Sequence, residues 1–506
     1  MTLTPAQRMT IIGAALLALF LGALDALVMS AAMPTIVAEL GGLQLYSWVY
    51  SAYFLARAVS LPIFGKLADL YRNRRLFMGA IVLFCLASAA AGCAVNMVSL
   101  IIARVVQGIG AGGIFALVYI VLADVAPPEK RGRTLSLASS IWGIASVLGP
   151  TLGGFMVTYF SWRWIFFINL PLGGLSLWGI GTYLVELRSK KADVSLDFLG
   201  VATLSTSILA FLFAFLLGGR TYPWISLPIL GLLALFGIGT IAFILVEKRA
   251  RDPILPMDFF RDRGFRTGNA AVFLSSFAIF SMFAYAPLFI QGVQGKSPME
   301  VGVAMLSLSL GWSLGSIGLG QYIDRMGRKT AALGGAVCLV AGSAMALAFS
   351  PETGTLYSFT SFFVIGIGMG FVALATLLAV QSAVPAHALG VATSSNQFAR
   401  TLGGTVGVGI GGSLIVARFG DLADAIRDQD FWAQLPAGVA EQGGHQLGEL
   451  LRPDVLTALP PEIRAVVQES VGKGVTAVFW TVLAAAVLCL FLCWRLPQGG
   501  GSGDTG

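Results

Sequence analysis

The sequence predicts an all-α polytopic membrane protein with fourteen spans. Three observations carry that prediction. Apolar runs recur along the whole 506-residue chain, and each is long enough, at about 20 residues, to cross a hydrocarbon core as a helix. Charged residues make up 11% and apolar residues 57%, whereas a soluble domain carries about 25% charged. The remaining bases gather in alternate loops, the pattern that sets membrane topology. A mean hydropathy of +0.83 agrees.

The spans fall at residues 11–33, 46–67, 76–95, 98–123, 134–159, 164–186, 197–218, 226–246, 267–292, 299–320, 331–350, 355–383, 389–417 and 474–495. The small residues of "SAAMP" give the first run the look of a secretory leader. It is longer than a leader's apolar region of about 7–15 residues, and it contains Asp25, so it reads as a retained helix. With the N-terminus counted as inside, 21 of the 32 bases lie in inside segments and eight in outside segments. Arg57, Arg104 and Arg400 lie within spans. Both termini are therefore expected in the cytoplasm. The net charge of +7 is topogenic, which removes nucleic acid as a partner.

The long outer segment 418–473 carries nine acids and is broken by Pro453, Pro460 and Pro461. "PPEIRAVVQESV" reads as a short amphipathic helix with Ile463, Val466, Val467 and Val471 on one face. It is expected to cap the outer mouth, with a docking surface as the alternative. Cys85, Cys93, Cys338, Cys489 and Cys493 all lie in apolar spans, with neither disulfide nor metal-ligand spacing, and there are only two histidines. No metal is expected.

The chain repeats itself. "GKLADLYRNRR" (65–75) follows the second span, and "GQYIDRMGRK" (320–329) follows the tenth. Both run Gly-x-x-x-Asp into a basic cluster, at an offset of 255 residues. Such self-similarity marks internal duplication, a common transporter design. Eight spans lie between the two turns where a six-plus-six plan needs six, so the surplus pair is placed centrally. The expected organisation is a six-helix bundle at 1–190, two extra helices at 191–252, five spans of a second bundle at 253–417, an extracytoplasmic loop at 418–473, and the last span with its tail at 474–506. The extra pair has no ionisable side chain in its central portions. It is expected outside both bundles and away from any substrate.

These motifs resemble the major facilitator superfamily. The Gly-x-x-x-Asp turn is similar to its signature loop, although Arg72 stands where glycine is usual and Asn73 where a base is usual. "RVVQGIGAGG" (104–113) resembles the fourth-span motif of its drug exporters, and "LGPTLGG" (148–154) the fifth-span antiporter motif. "SWRWIFFINLPLG" (161–173), "PLFIQGVQG" (287–295), "ARTLGGTVGV" (399–408) and the first-span "LDALVMSAAMP" are similar to the fourteen-span drug:proton antiporters. The resemblance spans the chain except 418–473. It implies the major facilitator fold, two six-helix bundles plus two extra helices.

Physical reasoning supplies roles for these residues. Gly65 permits close helix approach. Asp69 can accept from amides at a neighbouring helix N-terminus or pair with Arg74, holding the inner side shut in one state. Asp324 is the second turn's counterpart of Asp69, and Arg328 belongs to the second turn's basic cluster. Gly149, Pro150, Gly153 and Gly154 combine a kink with close packing, and the family reading makes them a seal. "GIGAGG" (108–113) and "GVGIGG" (407–412) fit a nucleotide-loop pattern, and "GWSLG" (311–315) a hydrolase elbow. All lie inside apolar helices without a preceding strand, so none indicates an enzyme.

Asp25 is the only acid well inside a span. At 1.5 Å per residue it lies about 12 Å deep, Arg57 about 16 Å and Arg104 about 9 Å, all in the outer half of the first bundle. Ionisable groups at such depth face a cavity or pair with one another. Arg104 belongs to the family motif; Arg57 stands where the family has a small or hydroxyl residue. These three are the expected proton-coupling residues. Asp25 would take a proton with the cavity open outward, free Arg57 or Arg104, and release the proton inward. Tyr53, Phe115, Tyr119, Trp142, Phe283, Tyr285, Gln291 and Arg400 come from spans that line the cavity in this fold and are the expected substrate contacts. One deep acid against three arginines predicts neutral, singly charged, zwitterionic or anionic amphiphiles rather than dications.

The resemblance implies a proton-coupled antiporter that exports amphipathic or hydrophobic compounds by alternating access. It would need no cofactor beyond the proton gradient and would work as a monomer in the lipid of a bacterial inner membrane. An exporter of endogenous lipids is the alternative on the same fold. A channel or receptor is the alternative of another class, disfavoured because it needs no paired inner turns.

Overall fold

A computed structural model describes residues 4–40, 45–127, 130–185, 197–219, 221–250, 252–296, 298–385, 388–427 and 461–498. Helices occupy all fourteen predicted stretches: α1 (Pro5–Leu40), α2 (Tyr46–Leu70), α3 (Asn73–Gly92), α4 (Met97–Val125), α5 (Arg131–Tyr159), α6 (Trp164–Phe167) with α7 (Asn169–Tyr183), α8 (Phe198–Leu217), α9 (Leu227–Glu247), α10 (Arg263–Gly292), α11 (Pro298–Met326), α12 (Arg328–Leu347), α13 (Thr355–Ser382), α14 (Leu389–Arg427) and α15 (Pro461–Trp494). There is no strand among the described residues beyond one isolated bridge between Gly218 and Tyr222.

Eleven of these stretches, among the described residues, are long and apolar enough to cross a membrane on length and composition. The others are α2, α5 and α14. Helix α2 carries Arg57, Lys66 and Asp69, α5 begins with Arg131 and Arg133, and α14 carries Arg400. All three pack at the seams between the two halves, where Arg57 and Lys66 are buried in protein.

Two boundaries depart from the sequence reading. Residues 461–473 are not a separate amphipathic helix; they form the first turns of α15, continuous with the last span. Helix α14 runs ten residues past the expected boundary, to Arg427. The remainder of the 418–473 segment, 428–460, lies outside the described residues, as does the tail from 499.

The helices sort into two packed groups. In the first, α1 packs on α4, α5 and α7, while α4 packs on α2 and α3. In the second, α13 packs on α10, α11 and α12, and α10 on α14 and α15. Two seams join them, α2 on α14 and α5 on α11. Helix α4 is the most enclosed and starts from a reciprocal cap: Asn96 Oδ1 accepts from Ser99 N at 2.8 Å, and Asn96 N donates to Ser99 Oγ at 3.3 Å. That cap fixes where α4 begins, and with it the phase of Arg104 and Gln107.

Helices α8 and α9 form a hairpin outside both groups, held partly by Ser207 Oγ and Thr240 Oγ1 at 2.7 Å. The hairpin is not detached. Helix α8 lies on the α2–α14 seam, with Phe213 against Trp48 at 5.6 Å between ring centres.

Candidate functional site

Asp25 is 1% exposed. Its Oδ2 accepts from Arg104 Nη1 at 2.6 Å, and its Oδ1 accepts from Gln107 Nε2 at 2.8 Å and Asn169 Nδ2 at 3.2 Å. Arg104 Nη1 also donates to Gln107 Oε1 at 2.7 Å, and its Nε to the Val49 carbonyl at 3.4 Å. Asn169 Nδ2 donates as well to Ser88 Oγ at 2.9 Å. Four helices thus converge on one carboxylate: α1, α3 through Ser88, α4 and α7. Asn169 is placed by the break at Ile168 between α6 and α7, and Gln107 lies one turn from Arg104. A buried ion pair satisfied this fully is costly to break, about 3–5 kcal/mol when one partner is removed.

Beside this network lies a cavity of about 330 Å³ at the seam of the two groups. Ala26 and Leu27, next to Asp25 in sequence, are in its wall, as are Phe54 and Arg57 of α2. Trp142 of α5 and Phe115 of α4 face it from the first group, and Phe280, Trp312, Gln397 and Arg400 from the second. The Tyr53 ring separates network from cavity, with the Arg104 guanidinium 4.1 Å from its centre and that of Arg57 5.8 Å away. The Tyr53 hydroxyl donates to the Gly22 carbonyl at 3.3 Å.

The sequence reading grouped Arg57 with Asp25, and the structure separates them. Depth along a helix says nothing of azimuth. Arg57 turns into the cavity, its guanidinium 4.7 Å from the Phe54 ring centre and 4.8 Å from that of Phe115. Its Nε and Nη1 are buried without a hydrogen-bond partner. Of the expected cavity residues, Phe115, Trp142 and Arg400 are in the wall. Tyr53 serves the network. Tyr119 lies behind the wall, its ring 5.8 Å from the Arg400 guanidinium. Phe283 packs beside Phe280 at 6.4 Å, Tyr285 is buried with its hydroxyl on the Val408 carbonyl, and Gln291 is half-buried further along the same helix. None of these three lines the cavity.

Two features of the wall were missed. Around the expected Arg400, the residues Gln397, Thr401, Gly404 and Thr405 complete a polar and small stripe at helical spacing on α14, legible in principle from periodicity. Leu212, Phe215 and Leu216 of α8 also line the cavity. This corrects the expectation that the extra pair stands away from it. The stretch of α8 from 208 to 217 is all apolar and gives no sign of which face meets a cavity and which meets lipid.

The two turns lie at one end of the molecule. A Cβ on Gly65 would fall 1.9 Å from Ser394 Oγ and 2.9 Å from the Gly390 carbonyl, so α2 and α14 touch there backbone to backbone. Asp69 accepts from the Gly390 and Val391 amides, both at 2.8 Å, at the start of α14. Arg74 donates to the Gly181 carbonyl near the end of α7. In the second turn, a Cβ on Gly320 would fall 2.6 Å from Ser136 Oγ and 2.9 Å from the Gly132 carbonyl of α5. Arg328 donates to Ser382 Oγ and, at 3.4 Å, to the Leu378 carbonyl. Asp324 is exposed.

In α5, a Cβ on Gly149 would fall 2.7 Å from Leu27 Cβ, which accounts for that glycine. Gly153 is buried, and the Pro150 side chain lies outside the described residues. A Cβ on Gly154 would meet nothing within 4 Å, so no close approach demands glycine there. At the far end of α1, Glu39 accepts from Arg163 Nη1 at 2.5 Å and Trp162 Nε1 at 2.7 Å. Those two donors, Arg163 foremost, hold its carboxyl below the usual carboxylate range.

The profile of the Major Facilitator Superfamily matches residues 15–408. The chain is 34% identical to "Multidrug transporter protein MdtP" of Bacillus subtilis over 96% of this chain and 93% of that one. It is 32% identical to "Multidrug resistance protein 3" of the same organism, over 94% and 93%. Among solved structures it resembles the human organic anion transporter MFSD10 (TETRAN), with a TM-score of 0.64 over 97% of this chain and 100% of that one. At 14% identity, that last likeness is one of fold alone.

Proposed function

Because this chain belongs to the Major Facilitator Superfamily, and so is a transporter rather than an enzyme, we propose that it is a proton-coupled antiporter exporting amphipathic compounds by alternating access. The two Bacillus relatives, named for multidrug transport and resistance, support export of drug-like molecules. The observation that carries the reading is Asp25, a buried carboxylate bonded to Arg104, Gln107 and Asn169 and separated from a seam cavity by one tyrosine ring.

The fourteen helical stretches are read as fourteen spans of a bacterial inner-membrane protein, acting as a monomer, with both termini and both turns on the cytoplasmic side. The Gly65–Gly390 crossing lies eight residues from Arg57 along α2, about 12 Å toward the turns. The cavity is then sealed from the cytoplasm and accessible from outside. In this state Asp25 is paired. A proton arriving from outside neutralises it and weakens its hold on Arg104. The Tyr53 ring, against which both Arg104 and Arg57 lie, passes that change to the cavity wall. Opening inward lets the proton leave and a new substrate enter. The gates are Gly65 with Asp69 and Gly320 with its α5 partners; Gly149 packs α5 on α1.

The test is Asp25→Asn, which keeps the shape and removes the titration. In inverted vesicles the variant should fold and bind a fluorescent drug, yet fail to concentrate it when a proton gradient is imposed. Concentration of the drug at the normal rate would mean that coupling lies elsewhere.

A further inference from the structure

The cavity holds positive charge that no lining acid balances. Arg57 is 9% exposed, and its Nε and Nη1 lack any hydrogen-bond partner. Burying guanidinium donors unpaired is unfavourable. The rings of Phe54 and Phe115 beside it offer their faces to the cation but no lone pair. Arg400 lines the same cavity from the opposite group. No Asp or Glu occurs among the lining residues. Two other lining residues, Trp142 and Trp312, have indole Nε1 donors without an acceptor, against one unpaired acceptor, Gln397 Oε1. The rest of the wall is mainly aromatic or aliphatic, with the hydroxyls of Ser51, Thr401 and Thr405 and no charge. Asp25 makes no hydrogen bond to Arg57; its oxygens accept from Arg104, Gln107 and Asn169.

We propose that Arg57 and Arg400 form the subsite for the anionic headgroup of an amphipathic substrate, a carboxylate or sulfonate, whose apolar body lies against Phe54, Phe115, Trp142, Phe280 and Trp312. This rests on the transporter reading above and names its substrate class. Such a headgroup brings two or three acceptors to a guanidinium edge, the pairing with the best geometry for arginine. It neutralises charge contributed by both helix groups. Seating it therefore draws α2 and α14 onto a common ligand, which is what a substrate of alternating access must do.

The test compares naphthalene-2-carboxylate, naphthalene-2-carboxamide and 2-naphthyltrimethylammonium, one ring system with three charges. Binding is measured by calorimetry on the full-length protein in nanodiscs of zwitterionic lipid. The carboxylate should bind roughly tenfold or more tighter than the amide, the increment of a charge-assisted hydrogen bond, and the cation weakest. Arg57→Gln and Arg400→Gln should each collapse the carboxylate-to-amide ratio toward one while leaving amide affinity in place, and Arg57→Lys should keep part of it. Equal affinities of carboxylate and amide in the unmodified protein would overturn the proposal, as would a ratio that survives Arg57→Gln. Displacement of the carboxylate by inorganic sulfate at equal concentration would assign the site to free anions and overturn the amphiphile assignment. Gradient-driven export of the amide in vesicles is followed in parallel. Export without anion preference sinks this subsite and leaves the transporter reading intact. Anion preference in a protein that exports nothing does the reverse.

Discussion

The turn after α2 and the turn after α11 follow one pattern, with their glycines and aspartates 255 positions apart and Arg74 and Arg328 in the basic clusters that follow, and they share two of three duties. In each, a glycine lets its helix meet one from the other group almost backbone to backbone: Gly65 on α14, Gly320 on α5. In each, an arginine bonds near the C-terminal end of a helix in its own group: Arg74 at Gly181, Arg328 at Leu378 and Ser382. Cations at such ends oppose the negative pole of the helix. The third duty is not shared. Asp69 crosses the seam to the first amides of α14, whereas Asp324 stands exposed. Duplication kept the steric contact and the local cap twice, and the charged latch once.

The largest effect should come from the shared contact. Gly65→Leu and Gly320→Leu each drive a side chain into a backbone carbonyl 2.9 Å from the new Cβ. Serine hydroxyls nearby can rotate away; the Gly390 and Gly132 carbonyls cannot. Overpacking of this kind costs about 1–3 kcal/mol, and the molecule relieves it by parting the seam. Spin labels on the two turns should therefore report a longer distance in both variants. If only one lengthens it, the two crossings are not equivalent, and the comparison fails at its base.

The next effect separates the turns. Asp69→Asn removes the charge from two bonds that span the seam, and bonds to charged groups are worth about 1.5–3 kcal/mol. Asparagine keeps one acceptor oxygen for one of the two amides, so the same label pair should show the open population rising roughly tenfold, the effect of about 1.4 kcal/mol. Asp324→Asn should leave the distance distribution unchanged. Equal responses would mean that the second acid latches in a state other than this one.

This asymmetry explains what was legible in the sequence. The helices were, because a run of apolar residues has one fate in lipid. So was a deep charged group at Asp25 facing an arginine, although depth alone leaves Arg57 and Arg104 as equal candidates for its partner. Gln107 and Asn169 stood inside quoted stretches and were passed over: neutral amides in a membrane helix carry no charge to flag them. Arg57 was drawn to Asp25 by depth alone, although rotation about α2 turns it toward Phe54 and Phe115. Phe283 and Tyr285 were chosen by span and lie off the cavity face, while Phe280 on the same helix is on it. Leu212, Phe215 and Leu216 of α8 gave no sign at all, since leucine and phenylalanine look the same toward lipid and toward a ligand. Asp69 and Asp324 sit in one pattern, and only the positions of α14 and α5 tell them apart.

The smallest effect tests whether the arginines belong to the shared list. Arg74 and Arg328 bond within their own groups, so neither should bias the seam. Arg74→Gln and Arg328→Gln should each lower stability by about 0.3–1 kcal/mol, the range for a cation at a helix C-terminus. In thermal denaturation the two losses should be similar, and both should shrink with added salt because the groups are near the surface. The label distance across the turns should stay put. The informative failure is a selective one. If Arg74→Gln opens the seam as far as Asp69→Asn does, Arg74 holds Asp69 in place for α14. The latch would then be an acid–base pair, as the spacing of the motif allows, and the asymmetry between the turns would extend to two residues. If both arginine variants leave the seam closed, the one-sided latch does not need Arg74, and Asp69 with the first amides of α14 carries it across the seam.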